Sequence, residues 1–210
     1  MTTLAFPTLS RFTPSELSDW ALNSNTRVHR SQFTGTRKSI AIPGSWWSVV
    51  SKWESLTVSD RAELEAFVAE LGGSAGLFYY SHPMWRLPRG TARGTGTCAA
   101  AAQFATTLVL SGAGIGAGVT LLKADFIEVQ VAGASPVLVR VSSNATESAG
   151  SITVLVQPML RIAVPSSTPF TLVRPRGQFA LVSDKQSMPV RRGDWGRGLG
   201  DFTLDAAEAF

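Results

Sequence analysis

The chain has one cysteine, Cys98, so no disulfide can form within it and a cysteine framework is excluded. It has two histidines, His29 and His82, far apart and in no ligand-spaced cluster with cysteine or acid, so no metal site is expected. No calcium-loop pattern is present either. Charged residues make up 16%, below the usual quarter of a soluble domain. No run of 18 uninterrupted apolar residues occurs. The most apolar stretch, Ala99 to Gly118, is broken by Gln103, Thr106, Thr107, Ser111 and four glycines, so no transmembrane segment is expected. The opening MTTLAFPTLSRF lacks the basic-then-apolar layout of a secretory signal, which points to synthesis and folding in the cytoplasm. A G-x-S-x-G elbow is also missing.

What is present favours β-structure. The 210 residues are 44% hydrophobic, enough for a well-buried core, and carry 19 glycines and 11 prolines. Low charge with much Thr, Ser and Val suits many short strands and turns. The formal net charge is +4. Residues 1–88 carry eight basic against seven acidic residues, 89–175 six against three, and 176–210 five against five. No basic block or aromatic-basic platform stands out in the linear sequence, so specific nucleic-acid recognition is not expected.

Trp20 and Leu22 mark an early strand, and a hairpin follows with its turn at Thr34-Gly35-Thr36. Residues Trp46 to Trp53 alternate, and the Trp47, Val49, Trp53 side is the expected core face. One helix is expected, with Ser59 as N-cap and a stripe of Leu64, Phe67, Val68 and Leu71 that stops at Gly72-Gly73. GLFYYSH then reads as a strand. From 89 to 105 the chain is rich in Gly, Thr and Ala. Short strands are expected at Thr106–Leu110, Phe126–Val131, Val137–Val141, Ile152–Val156 and Phe170–Val173, the pattern of a small barrel or sandwich. Phe179–Val182 and Phe202–Leu204 read as further strands around a polar segment, 183–200. If these complete the first domain, 89–175 is an insertion.

No enzymatic chemistry is signalled. TTLVLSGAGIGAGVTLL runs into Gly112-Ala113-Gly114, with Ala117 completing G-x-G-x-x-A and Glu128 beyond it. Only about seven residues separate it from the next β-like run, too few for a crossover helix, so a β-β loop is expected. Glu54, Asp125, Glu128, Asp184, Asp194 and Asp201 are the carboxylates for any acid-base pair, but their spacing singles out none. The six tryptophans invite a sugar-binding reading. Trp46, Trp47 and Trp53 read as core. Trp85 and Trp195, among arginines and glycines, read as interface residues, where Trp and Arg are enriched.

A series of segments then carries a resemblance. In order these are SNTRVHRSQFTGTRKSIAIPGSWWSVV, LTVSDRAELEAFVAELGGSAGLFYYSHP, RLPRGTARG, LLKADFIEV, VLVQPMLR, LVRPRGQFAL and FTLDAAEAF, nearly the whole chain. No segment is specific alone; their order and spacing resemble a family of distal tail proteins of siphophages and prophages. The resemblance implies a mostly β fold. Residues 1–88 plus 176–210 would form a ring-building belt, a β-sandwich with one flanking helix, and 89–175 an inserted small β-barrel or sandwich. It implies a virion protein at the tail tip, in a homo-oligomeric, usually hexameric ring. The ring joins the tail tube protein to the hub protein, and the inserted domain faces fibres or side proteins. No catalytic residue, cofactor or metal is implied. The expected interface residues are Trp195, Arg191, Arg192 and Arg197 on the 183–200 segment, with Trp85 and Arg89 near the domain junction. A carbohydrate-binding β module, or another ring such as a tail-completion or connector protein, are the alternatives.

Overall fold

The computed structural model describes residues 3–10, 14–112, 114–186 and 200–210. Among the described residues the fold is mostly β, with one helix and a closed six-stranded barrel inserted among the strands of a larger sheet. The strands are β1 (Leu4–Ala5), β2 (Glu16–Asn23), β3 (Thr26–Arg30), β4 (Arg37–Ala41), β5 (Trp46–Leu56), then helix α1 (Val58–Leu71) and β6 (Leu77–Ser81). Next come β7 (Thr95–Cys98), β8 (Thr107–Ser111), β9 (Thr120–Leu121), β10 (Phe126–Val129), β11 (Val137–Val141), β12 (Ala145–Thr146), β13 (Ser151–Gln157) and β14 (Thr168–Thr171). β15 (Arg176–Leu181) and β16 (Gly200–Glu208) close the chain.

The large sheet has the order β1-β6-β15-β16-β5-β2. Its strands come from both ends of the sequence, and β16 runs antiparallel between β15 and β5. Alternation along β5 buries Trp47, Val49, Ser51 and Trp53, the face anticipated from the sequence. Phe202, Leu204 and Ala206 of β16 line up beside them, and Phe78, Tyr80, Phe179 and Leu181 continue the layer. This layer packs on Leu64, Phe67 and Leu71 of α1, on Leu9, and on Phe126 and Leu138 from the barrel.

The helix begins two residues earlier than its pattern suggests. Its N-cap is Thr57, not Ser59: Thr57 Oγ1 accepts from the Asp60 N–H at 3.1 Å. Thr57, Ser59 and Asp60 are all good cap types, and tertiary contacts choose among them. Asp60 is itself buried and accepts hydrogen bonds from the Ser10 N–H and hydroxyl, which ties the N-terminal stretch to the helix start. Gly72 ends the helix in the left-handed region at φ 66°, as expected.

The barrel closes in the order β10-β11-β13-β8-β7-β14, and its strands all lie between residues 95 and 171. Ile127, Val129, Val139, Val141, Leu108, Leu110, Val154 and Phe170 fill it. Strand β10 is buried on both faces. Ile127 and Val129 point into the barrel, while Phe126 joins the sheet core and Glu128 meets Arg176. Strand β7 has no apolar pattern to predict it. It closes the barrel because Gly96 lets its backbone approach its neighbours: a Cβ there would lie 2.1 Å from the Ser111 carbonyl oxygen. Gly112 faces Gly96 in the same way and has φ 114°. The glycine-rich motif is thus a β-β loop that leads from β8 to β9, with no helix behind it.

Candidate interaction surface

Sheet and barrel are joined by three groups of side chains. In the first, Trp47 Nε1 donates to the Leu138 carbonyl at 3.0 Å, and its ring packs on Phe126 with centroids 5.4 Å apart. In the second, Arg161 reaches from the barrel to the sheet. It donates to the Ser45 carbonyl and to Glu208 Oε2 at 2.7 Å, and stacks on Phe210 at 3.4 Å. Glu208 also accepts from the Trp47 N–H at 3.0 Å. Burial raises the Glu208 carboxyl above its ordinary value, against the opposing pull of Arg161, and burial likewise lowers the Arg161 guanidinium. In the third, buried Glu128 accepts from the Arg176 N–H at 2.8 Å and from Gln130 Nε2 at 2.9 Å.

The chain crosses from sheet to barrel at residues 82–90. Asp125 is buried there and accepts from the Arg89 N–H at 2.7 Å and the Leu122 N–H at 2.8 Å, which pins the crossing backbone. Trp85 is half-buried against the sheet core, and the Arg89 guanidinium sits over its ring at 5.9 Å. His82 lies behind them, with ring contacts to Trp20, Trp85 and Phe126. Its Nδ1 accepts from the Met84 and Trp85 N–H groups at 3.2 Å each. Burial, then the charge of Arg140, push its pKa down from 6.5 to about 4.

The folded value of His82 is below the unfolded one, so its contribution to stability is present above pH 6.5 and is lost as pH falls towards 4. His82→Asn keeps an acceptor near Nδ1 and removes the titration. Its stability, followed by urea melts from pH 7 to pH 4, is expected to fall less steeply than that of the wild type. Parallel profiles would show that His82 does not carry the slope.

An open cleft of about 540 Å³ lies beside the third group, lined by Tyr79, Thr95, Glu128, Gln130, Arg174 and Arg176 among others. Arg176 stacks over Tyr79 at 5.1 Å.

The most exposed element is the hairpin of β3 and β4. Among the described residues it pairs only with itself, from Thr26↔Ala41 to Arg30↔Arg37, and continues the β2–β5 ribbon beyond the sheet through the Ile42 N–H to Asn25 carbonyl bond. Every residue from Ser24 to Arg30 is exposed, and so is each from Gln32 to Ile40. Phe33 at the tip is 99% exposed. Counting charge by this element rather than by thirds of the chain relocates the excess. Residues 24–45 hold Arg27, Arg30, Arg37 and Lys38 with no Asp or Glu, and the rest of the chain balances at 15 basic and 15 acidic. The whole formal charge of +4 resides on this arm. Sequence reading saw the hairpin but not its isolation, because its Ile and Val alternate as they would in a packed strand.

The candidate residues fare differently. Trp85 and Arg89 come together at the crossing. Trp195, Arg191, Arg192 and Arg197 lie outside the described residues, as does Asp194. Trp47 and Trp53 are buried as expected, whereas Trp46, placed with them in the core, is 38% exposed because alternation turns it outward at the start of β5. Among the described residues the named carboxylates do not converge. Glu54 pairs with Lys52, Asp125 holds backbone N–H groups, Glu128 holds Arg176, Asp184 accepts from Ser74, and Asp201 accepts from the Ser55 N–H. Among the described residues no three of His, Cys, Asp and Glu gather to hold a metal ion. Among the same residues no helix is long and apolar enough to cross a membrane. Buried Cys98 has its thiol pushed up to about 12 by desolvation, which leaves it unreactive. No model of a known protein family matches the chain, and no curated protein does.

Proposed function

We propose that this chain is a structural subunit of a hexameric ring at the distal end of a long, non-contractile phage tail. The ring joins the tail tube protein to the hub protein. Residues 1–88 and 176–210 are its ring-building part. Residues 89–175 are an inserted β domain that faces fibres or side proteins. No catalysis, cofactor or metal enters this role; the working surfaces are interfaces. Trp85 and Arg89 at the crossing, and Arg191, Arg192, Trp195 and Arg197 on the 183–200 segment, belong to them.

The observation that carries this reading is the arm. A hairpin that stands clear of the other described strands, with an apolar tip and the chain's whole charge excess, is unfinished alone. A ring subunit needs two different patches, one offered and one received, and an arm supplies the first. The ordered series of segments in the sequence points the same way.

Negative-stain images of the purified full chain are expected to show closed rings with six-fold views and a central opening. Single subunits at every concentration, with glycan binding in a screen, would favour the carbohydrate-binding reading instead. That reading draws on the Tyr79–Glu128–Arg176 cleft, whose aromatic ring and polar walls suit a sugar.

A further inference from the structure

The arm carries unrelieved repulsion. Arg30 stands directly opposite Arg37. Like charges directly opposite destabilise a strand pair. None of the four arm cations makes an ion pair among the described residues. A two-stranded hairpin is marginal in water even without this burden. Its chemistry therefore calls for an anionic partner with an apolar floor: alternation puts Ile40 beside Arg27 and Lys38 on one face of the hairpin and Val28 beside Arg30 and Arg37 on the other, with exposed Phe33 at the tip.

The chain has such a surface on α1. The outward side of the helix carries Ala62, Ala66 and Ala69, at i, i+4 and i+7, all exposed. Glu65 borders this row on one side, and Glu63 and Glu70, seven apart and so nearly aligned, border it on the other. The basic residue of the helix, Arg61, is bonded to Glu65 at 2.8 Å. Glu63 and Glu70 make no ion pair among the described residues. An amphipathic surface helix ordinarily shows mixed charge outward. This one shows a row of small residues between acids. At about 1.5 Å per residue the helix is about 21 Å long. Each arm strand spans about 16 Å before its turn, so the helix is long enough to receive it.

We infer that the β3–β4 arm of one copy lies along the outward face of α1 in a second copy. The cations of the hairpin face turned to the helix meet Glu63, Glu65 and Glu70, and the apolar side chain of that face, with Phe33 at the tip, rests on the alanine row. The contact joins two different patches, so repetition builds a ring when the rotation closes. The inference rests on the ring reading above and names the surfaces that make the ring.

The test uses the full chain and sedimentation velocity at low and high salt. In one variant the arm is reversed: Arg27→Glu, Arg30→Glu, Arg37→Glu and Lys38→Glu. In another the helix is reversed: Glu63→Lys and Glu70→Lys. All six positions are exposed, so both variants are expected to keep the wild-type melting profile. Each reversal, and a rise in salt on the wild type, is expected to weaken self-association by about tenfold or more. Mixing the two variants in equal amounts is expected to restore it, because each reversed arm then meets a reversed helix. A wild type that assembles while both variants assemble equally well overturns the contact and leaves the ring standing. A mixture that stays dissociated overturns the contact too, as does loss of binding to a short DNA duplex in the arm variant with no loss of assembly. A wild type that is a single subunit at every concentration overturns the ring reading along with it.

Discussion

Trp47→Ala is expected to lower the unfolding free energy by about 4 kcal/mol, one of two large effects at the joint between sheet and barrel. Trp47 is 1% exposed, so truncation leaves a cavity in the layer it shares with Val49, Phe126 and Leu138. It also orphans the Leu138 carbonyl, which accepts from Nε1 at 3.0 Å. For a chain of this size the loss corresponds to roughly 8–16 °C in Tm. Trp47→Phe separates the two causes. It keeps most of the apolar volume and loses the hydrogen bond, so its cost is expected to be about 1–2 kcal/mol. Urea melts of both variants decide the matter. Equal losses for the two would mean that the hydrogen bond, not the ring, sustains the joint, and a loss below about 1 kcal/mol for alanine would mean that neither does.

Arg161→Met is expected to cost about 3–5 kcal/mol near pH 8. The substitution keeps an unbranched apolar stem, removes the guanidinium that stacks on Phe210, and leaves Glu208 charged, with a side chain only 2% exposed. The Trp47 N–H remains as a partner, and one neutral donor is not enough to hold a buried carboxylate. The loss depends on pH with a definite sign. Glu208 already has its folded value above the ordinary 4.5, so its contribution is present below that value and is lost as pH rises through the folded one. Removing Arg161 raises the folded value further and deepens the loss at neutral pH. The gap between variant and wild type is therefore expected to shrink from pH 8 to pH 5. A gap that stays constant would show that packing alone matters at this position. The double variant Arg161→Met, Glu208→Gln is expected to recover most of the stability, because it removes both ions together. Since Glu208 touches Trp47 and Arg161 alike, the two single effects are not expected to add.

Much of the fold was legible where alternation was long. The β5 pattern placed Trp47, Val49 and Trp53 inward because a strand buries alternate side chains whatever lies beyond it. The α1 stripe was legible for the same reason at helical period, and its stop at Gly72 follows from the left-handed turn. The N-cap was not, since three neighbouring residues have equivalent chemistry and Ser10, fifty residues away, favours the earlier start. The candidate surface was the least legible part. The arm looked like any amphipathic hairpin, and the alanines on α1 looked like helix filler.

The sequence by itself determined the class of structure and the chemistry that is out of reach. Alternation, turn residues and one helical stripe specify a mostly β chain because they act locally, through backbone geometry and side-chain period. The single cysteine and two scattered histidines exclude disulfides and point away from metal clusters because those need particular atoms, and the atoms are few. Only the tertiary structure decided that β7 closes a barrel, since what admits it is the absence of a Cβ at Gly96 beside the Ser111 carbonyl. It alone set β16 in the middle of the large sheet, drew Arg161 across to Glu208, and left the β3–β4 arm unpaired with any other strand among the described residues. These are contacts between residues far apart in the chain. They depend on which surfaces remain once the cores have formed, and no local pattern records that remainder.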